Sequence, residues 1–519
     1  MFLIGGCQSA LGQSLQGFNK CLTNGELADN LLRIIRAERF EEVIDFGPAS
    51  TVSKCPAEIP GCEYRTEPMG KERFPHLDLA IVAFQPRCAR KAVYANVLFS
   101  RDFPNGIAAE FDKNSLGITN VRMRRWDQIR ADGGIWSDTA PHVTARPNAW
   151  SEPYPAEDLL NRPSADARYD FMPPYPASVF KILVGLKTLD VLERRGPLSE
   201  QLQTRFNHPE DEQNLTQQQY LESMLQWSGN AATRGLVQQL HALGEIEQGA
   251  DTDNNGFPDT APKRNTLNEF YAKMGLSTLQ MNRTRSTGNW GKADNYNLTE
   301  GSVHNLNMTS WDIARLLWLM SDGIYTSGAE SAQWNVEETG QPVPRDLLSI
   351  EARRVFWNVI EDGLWHEVLS NTELCGLPSG GPRGIPALMP LKWISGKTLR
   401  MPFGDFPFPN TADEFNPADM HLPDDITPFQ DNAEVRFAMK TGLTTSAGSQ
   451  IGLVHGIPER GFKRKYIVSF LSNLGSRFND KDRLSADVTN PCYQSGFCYT
   501  KKIPAIGQKI DAFLKEHLE

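Results

Sequence analysis

The placement of the strand-like runs restricts the fold more than any other feature of this sequence. Two lie early, "LDLAIVAFQ" and "KAVYANVLFS", near residues 78–100; they are short, β-branched or aromatic, and separated by a polar turn. Three more lie late: "AEVRFAMKTGL", "SQIGLVHGI" and "RKYIVSFLSN". Between them, from 178 to about 370, the texture is helical. "LTQQQYLESMLQWSGNAATRGLVQQLHALG" carries apolar residues at helical intervals on either side of a Ser-Gly-Asn break, and "MTSWDIARLLWLMSDG" has a Thr–Ser start, an amphipathic body and a glycine stop. Further helices are expected in "NGELADNLLRIIRAERFEEVI", "IEARRVFWNVIEDGLW" and the closing "AIGQKIDAFLKEHL". Strands at both ends around a helical block predict an α+β fold, with a sheet assembled from both ends of the chain and helices packed on it.

Residues 1–165 read as an N-terminal segment of unassigned role, whose strands near 78–100 are candidates for the core sheet. Residues 166–519 read as the main domain, with insertions near 249–265 and 371–433. The second insertion is rich in Pro, Gly, Asp and Phe and shows no sustained period. A stretch of that kind inside a compact domain is usually a lid or an elaborated insertion.

Composition excludes several classes. A formal net charge of −10 argues against a general nucleic-acid binder, which would carry a basic stripe. No run approaches the roughly 18 apolar residues of a membrane-spanning helix. The eight cysteines include two close pairs, Cys55/Cys62 and Cys492/Cys498, whose spacing is not that of zinc ribbons or redox motifs. Local disulfides in an oxidising compartment, periplasmic or secreted, are the expectation. "MFLIGGCQSA" places Ile4-Gly5-Gly6 before Cys7 as at the end of a bacterial lipoprotein signal, which makes Cys7 a candidate lipid anchor; the positive start and long apolar stretch of such a signal are lacking.

The chemistry starts from "PYPASVFKILVGLKTLDVL", where Ser178 stands one helical turn before Lys181. A serine hydroxyl is a poor nucleophile unless a base and oxyanion donors assist it. At a helix N-terminus, Ser and a Lys three residues on share a face, and the dipole favours negative charge at the hydroxyl. Phe180, Ile182 and Leu183 would desolvate the lysine and so favour its neutral form. Taken alone, the pair reads equally as a Ser N-cap followed by a solvated lysine.

Two further elements change that balance. Ser228-Gly229-Asn230 sits at a break between helices, where a second hydroxyl can relay a proton and an amide can hold a carbonyl. Lys440-Thr441-Gly442 follows a strand-like run: the lysine can anchor a carboxylate, the threonine can hydrogen-bond it, and the glycine lets a ligand lie against the backbone. The bland alternatives are a helix-linking turn and an edge-strand turn.

The order Ser-x-x-Lys, Ser-x-Asn, Lys-Thr-Gly is the signature of class A β-lactamases and penicillin-binding proteins. "PASVFKILVGLKTLDVL", "MLQWSGNAATRGLVQQL", "NMTSWDIARLLWLM", "VRFAMKTG" and "RKYIVSFLSN" resemble segments of that superfamily, nearest its class A branch, over roughly 170–519. The resemblance implies a β-lactamase/DD-peptidase-like fold, an antiparallel sheet with flanking helices plus an all-helical subdomain. It implies Ser178 as the acylated nucleophile, Lys181 as its base partner, Ser228 as proton shuttle and Asn230 as a contact to the substrate amide. Lys440 and Thr441 would anchor the substrate carboxylate beside Gly442, and the backbone N–H groups of Ser178 and Leu443 would form the oxyanion hole. The substrate would be a β-lactam or a peptidoglycan-like D-alanyl peptide, and catalysis would need no cofactor.

One part of the pattern departs. Class A enzymes carry a glutamate on the loop before the "TSWDIARLL"-like helix that activates the deacylating water. In "MNRTRSTGNWGKADNYNLTEGSVHNLNMTS", Thr and Ser stand where it should be, and Glu300 is the only late substitute. A DD-carboxypeptidase or esterase, or a binder without turnover, is therefore the alternative; a family VIII-type esterase would show Tyr in place of Ser228. Separately, Asp251, Asp253, Asn255 and Asp259 in "GADTDNNGFPDTAP" follow a calcium-loop pattern, with Pro262 where a full EF-hand wants glutamate. They are candidate ligands of a structural calcium. "ISGKTLR" ends like a P-loop, but Leu391 stands where its first glycine is required.

Overall fold

The computed structural model describes residues 21–45, 68–71, 74–124, 159–206, 215–252, 262–282, 284–290, 306–370, 383–401, 420–422, 425–444, 447–475, 478–480 and 500–519. Six strands form one antiparallel sheet: β1 (Leu77–Phe84), β2 (Ala92–Ser100), β3 (Phe103–Ala108), β4 (Val435–Leu443), β5 (Gly448–Gly456) and β6 (Lys465–Ser472), in spatial order β4-β5-β6-β1-β2-β3. The central seam pairs β6 with β1, Ile467 opposite Val82, so the sheet draws strands from both sides of residue 165.

Every residue of β1 is buried, because both faces of the sheet are covered. Alternation along the strand sorts its side chains between two cores. Ala80, Val82 and Phe84 face the helical block; Leu77, Leu79, Ile81 and Ala83 face the opposite layer. That layer is made by α1 (Asn24–Ala37) and the closing helix α8 (Lys502–Leu518). Helix α1 starts where Thr23 and Glu26 form a reciprocal capping box. A disulfide, Cys21–Cys88, ties a residue two positions before this cap to the turn after β1. It spans 67 residues of sequence and so could not be read from close spacing; Cys7, Cys55, Cys62, Cys492 and Cys498 lie outside the described residues.

The helical block comprises α2 (Lys181–Glu193), α3 (Gln217–Gln226), α4 (Asn230–Ala242), α5 (Thr266–Ala272), α6 (Ser310–Ser321) and α7 (Ile350–Glu361). Helix α2 is its axis: all residues from Lys181 to Leu192 are buried. A helix enclosed on all sides needs no polar stripe, and the charges it does bury are partnered, Lys187 Nζ donating to Asp190 Oδ2 at 2.7 Å. Helix α6 is fixed to the sheet by the buried Asp78, whose carboxylate accepts from Ser310 N (2.8 Å) while its carbonyl accepts from Ser310 Oγ (2.7 Å). Burial pushes the Asp78 carboxyl up to about 6.

The stretch 371–433 is not without structure. Ile394–Ser395, Thr398–Met401 and Met420–Leu422 form a small antiparallel sheet, and Trp393, Leu399 and Ile426 bury with Trp227 and Leu364 in a third apolar cluster. Their short lengths, two to four residues, hide them from any periodicity test. Strand β3 was likewise invisible in sequence, because "FPNGIA" carries Pro and Gly and is a half-exposed edge.

Candidate active site

Ser178 does not cap a helix. It lies in a tight turn, Ala177–Phe180, that runs directly into α2, and neither helical start has a side-chain cap. Nor is Lys181 solvated: it is 0% exposed, and Phe180, Ile182 and Leu183 around it are buried too. Both halves of the bland reading of this pair therefore fail. Lys181 Nζ donates to Ser228 O at 2.5 Å, Asn230 Oδ1 at 2.7 Å and Ser228 Oγ at 3.2 Å.

Lys440 reaches the same hydroxyl from the sheet. Its Nζ donates to Ser228 Oγ at 3.0 Å and to Thr441 O at 2.7 Å, and it is 1% exposed. Ser228 Oγ thus lies between two lysines that come from different layers of the fold. Burial holds the Lys440 ammonium well below its usual range, Lys181 pushes the same way by like-charge repulsion, and Glu367 opposes both.

The third element meets the first through Gly442. A side-chain carbon there would stand 2.4 Å from Pro176 O and 3.0 Å from the backbone N of both Ser178 and Val179. The strand can press against the Ser178 turn only because residue 442 has no side chain. Strand β4 is the edge of the sheet, and Leu443, opposite Gly448, is half-buried at its exit. Ser178 is half-buried as well.

Backbone strain gathers at the same place. Among the described residues, four that are not glycine have positive φ, and two of them are Ala177 (47°) and Ser228 (73°). Each such conformation costs about 1–3 kcal/mol and persists where the surroundings over-determine it. Lys181 bonding to Ser228 O is one such determinant.

Side chains alternate along β4, so Thr441 points away from Lys440. Its hydroxyl donates to Trp365 O (2.6 Å) and accepts from Gln450 Nε2 (3.1 Å). Gln450 Oε1 in turn accepts from Leu369 N (2.7 Å) and Ser370 N (3.0 Å), fastening the 364–370 segment along the edge of the sheet. This segment carries Glu367, a buried carboxyl pushed up to about 8 by desolvation, with Lys440 opposing. Sequence reading missed Glu367, Trp365 and Gln450. The one available signal was an acidic residue inside the apolar run "LWHEVL".

Other candidates fall elsewhere. Glu300, Asp253, Asn255 and Asp259 lie outside the described residues. Asp251 is described, and the pair Ile246–Glu247 with Arg264–Asn265 forms the base of the hairpin from which the candidate calcium loop extends. Among the described residues no group of three acidic, His or Cys side chains could hold a metal ion. No described helix is long and apolar enough to cross a membrane.

Neither protein-family models nor curated proteins match the chain. Solved structures do. A β-lactamase from Streptosporangium roseum is similar at 13% identity and TM-score 0.33, covering 66% of this chain and 84% of that one. PBP-A is similar at 13% identity and TM-score 0.32, covering 66% and 81%. A β-lactamase from Sphaerobacter thermophilus is similar at 12% identity and TM-score 0.31, covering 64% and 80%. Identities and scores this low carry no argument about activity, which must come from the site geometry.

Proposed function

We propose that the protein is a serine hydrolase that forms an acyl-enzyme on Ser178 with a β-lactam or a D-alanyl peptide amide. The observation that supports this best is the convergence of Lys181 and Lys440 on Ser228 Oγ, with β4 pressed against the Ser178 backbone at Gly442. In this reading Ser178 Oγ attacks the carbonyl carbon while Lys181, entering the step neutral, takes the hydroxyl proton. The carbonyl π electrons move onto oxygen, where the N–H groups of Ser178 and Leu443 hold the oxyanion. The C–N bond then breaks, and Ser228 passes a proton to the leaving nitrogen, replaced on Ser228 from Lys181. Asn230 contacts the substrate amide. Lys440 supplies the positive charge for the substrate carboxylate, while Thr441, expected from the sequence to join it, turns its hydroxyl to the other face of the strand and donates to Trp365 O. The helical block is read as the subdomain that carries the first two motifs.

Hydrolysis of the acyl-enzyme is the slower half of this cycle. The substitute base Glu300 lacks the sequence context of a class A deacylating glutamate, which favours a DD-peptidase-like enzyme over an efficient β-lactamase. Labelling with a fluorescent penicillin, followed by intact mass over time, tests the reading. One adduct per chain that maps to Ser178 and persists is the expected result. Rapid loss of that adduct would instead mark a β-lactamase, and no adduct would remove the acyl-enzyme reading altogether.

The contact at Gly442 gives a second test. Gly442→Ala must push β4 off the Ser178 turn, since the atom it meets at 2.4 Å is a backbone oxygen that cannot rotate away. Labelling is expected to slow about 100-fold, the usual order for misplacing reacting groups by an ångström. The urea midpoint should report a loss of about 1–3 kcal/mol from overpacking. An unchanged labelling rate would disconnect this contact from reactivity.

A periplasmic or secreted location fits the Cys21–Cys88 disulfide, since such bonds persist in oxidising compartments. A lipid anchor at Cys7 and structural calcium at Asp251, Asp253, Asn255 and Asp259 stay proposals, and the chemistry above draws on none of these residues.

A further inference from the structure

The hydroxyl of Thr441 is engaged within the protein, and the residue that engages it also reaches the second motif. Thr441 Oγ1 donates to Trp365 O at 2.6 Å. Trp365 extends its side chain the other way: Nε1 donates at 2.5 Å to Trp227 O, the carbonyl immediately before Ser228. One residue earlier, Leu364 N donates to Gln226 O at 2.9 Å. The chain after α7 thus forms a strap from the end of α3 to β4, and it lies close against the strand. A side-chain carbon at Gly363 would stand 2.9 Å from Met439 Cε and 3.2 Å from Met439 O. Gln450 on β5 fastens the far end of the strap through Leu369 N and Ser370 N. We propose that Trp365 is a positioning residue that fixes the spacing between the Ser228 turn and Lys440, with Thr441 as its anchor on β4. This rests on the reading of Ser228 as the proton shuttle.

The need follows from where the partners of Ser228 come from. Its hydroxyl stands 3.2 Å from Lys181 Nζ on α2 and 3.0 Å from Lys440 Nζ on β4, so the layers must keep one separation for both bonds to form. The Ser228 backbone, at a φ of 73°, also relaxes unless it is held. Lys181 holds the carbonyl of Ser228, and Trp365 holds the carbonyl before it. Trp365 is in addition tied to the sheet, which makes it a link between the strained turn and the strand that carries Lys440. The indole is braced in turn. It packs on the third apolar cluster with Trp227, Leu364 and Trp393, and Trp393 Nε1 donates to Asp362 O at 2.8 Å.

The two bonds act in series, so cutting either should release the turn and cutting both should add little. Fluorescent-penicillin labelling against penicillin concentration separates non-covalent affinity from the maximal rate of acylation. It is measured for wild type, Trp365→Phe, Thr441→Val and the double variant. Phe keeps an aromatic ring and Val the branched shape of Thr, and each lacks the hydrogen-bonding group. The maximal rate should fall about tenfold in each single variant and by about the same in the double variant, short of the roughly 100-fold of a full ångström's misplacement. Affinity should stay within about twofold, because Lys440 remains on β4, and the final yield of one adduct per chain should show that the variants fold. A loss of affinity in Thr441→Val would return that hydroxyl to the substrate and overturn the proposal. So would single effects that multiply in the double variant, or an unchanged maximal rate in Trp365→Phe. The second readout, hydrogen–deuterium exchange by mass spectrometry, needs no acylation. Gly229 N donates to Ser223 O at 2.9 Å, which protects it. Exchange in residues 223–233 should quicken about tenfold in Thr441→Val, whose hydroxyl bonds Trp365, Gln450 and Met439 and nothing in that stretch. Unchanged exchange would overturn the strap. If wild type forms no adduct, the acyl-enzyme reading fails while exchange still decides whether Trp365 holds the Ser228 turn to β4.

Discussion

Ser178→Ala is expected to form no adduct with a fluorescent penicillin while it folds as the wild type does. The substitution removes the oxygen that would be acylated and little else. Ser178 caps no helix, and its side chain is half-buried and bonded to neither Lys181 nor Lys440. Stability should therefore change by no more than about 0.5 kcal/mol, the usual range for a site without such features. Because Lys181, Ser228 and Lys440 hold one another independently of Ser178, non-covalent binding of the penicillin should survive. Intact mass and equilibrium binding together check this. An adduct of unchanged yield on the variant would place the nucleophile elsewhere and overturn the assignment of Ser178.

Lys181→Met is expected to slow labelling about 1,000-fold, within the range of 10²–10⁴ for removal of a general base. Methionine replaces much of the buried volume, so the loss should come from chemistry more than from packing. It still leaves Ser228 O and Asn230 Oδ1 without the donor they now share, and the strained Ser228 backbone loses a bond that holds it. A stability loss of about 1–3 kcal/mol should follow, read from the urea midpoint. The variant also has a signature that simple loosening would not give. Lys181 lowers the proton affinity of Lys440, so its removal should let Lys440 stay charged to higher pH. The residual labelling should accordingly hold up further into the alkaline range than in wild type. A residual activity that falls off at the wild-type pH or lower would argue against direct contact between the two charges.

The two site motifs at Ser178 and Lys440 were legible because each is a short spacing on one element, and an element fixes its own local geometry. Three residues on a helical turn bring Ser178 and Lys181 to one side, and a strand exit puts Lys440 and Gly442 on one face. Even so, sequence left the first pair open between chemistry and an N-cap with a solvated lysine. Burial decided that question, and burial is a property of what packs around α2, not of α2 itself.

Glu367 and Gln450 were out of reach for a related reason. Neither belongs to a periodic pattern: what distinguishes Gln450 is a partner 81 positions away along the chain, Leu369, and what distinguishes Glu367 is its burial. The Cys21–Cys88 bond is the same kind of fact, since pairing depends on which loops the sheet brings together.

By itself, then, the sequence determined the types and order of the longer elements and the chemical repertoire at Ser178, Ser228 and Lys440, but not β3 or the short strands within 371–433. Periodicity and composition suffice for that, because they act within one element. Only the tertiary structure decided that β1 pairs with β6 across nearly 390 residues and that two lysines share one hydroxyl. Charge state and strain at this site come from contacts between elements, and those exist only once the sheet has closed over the helical block.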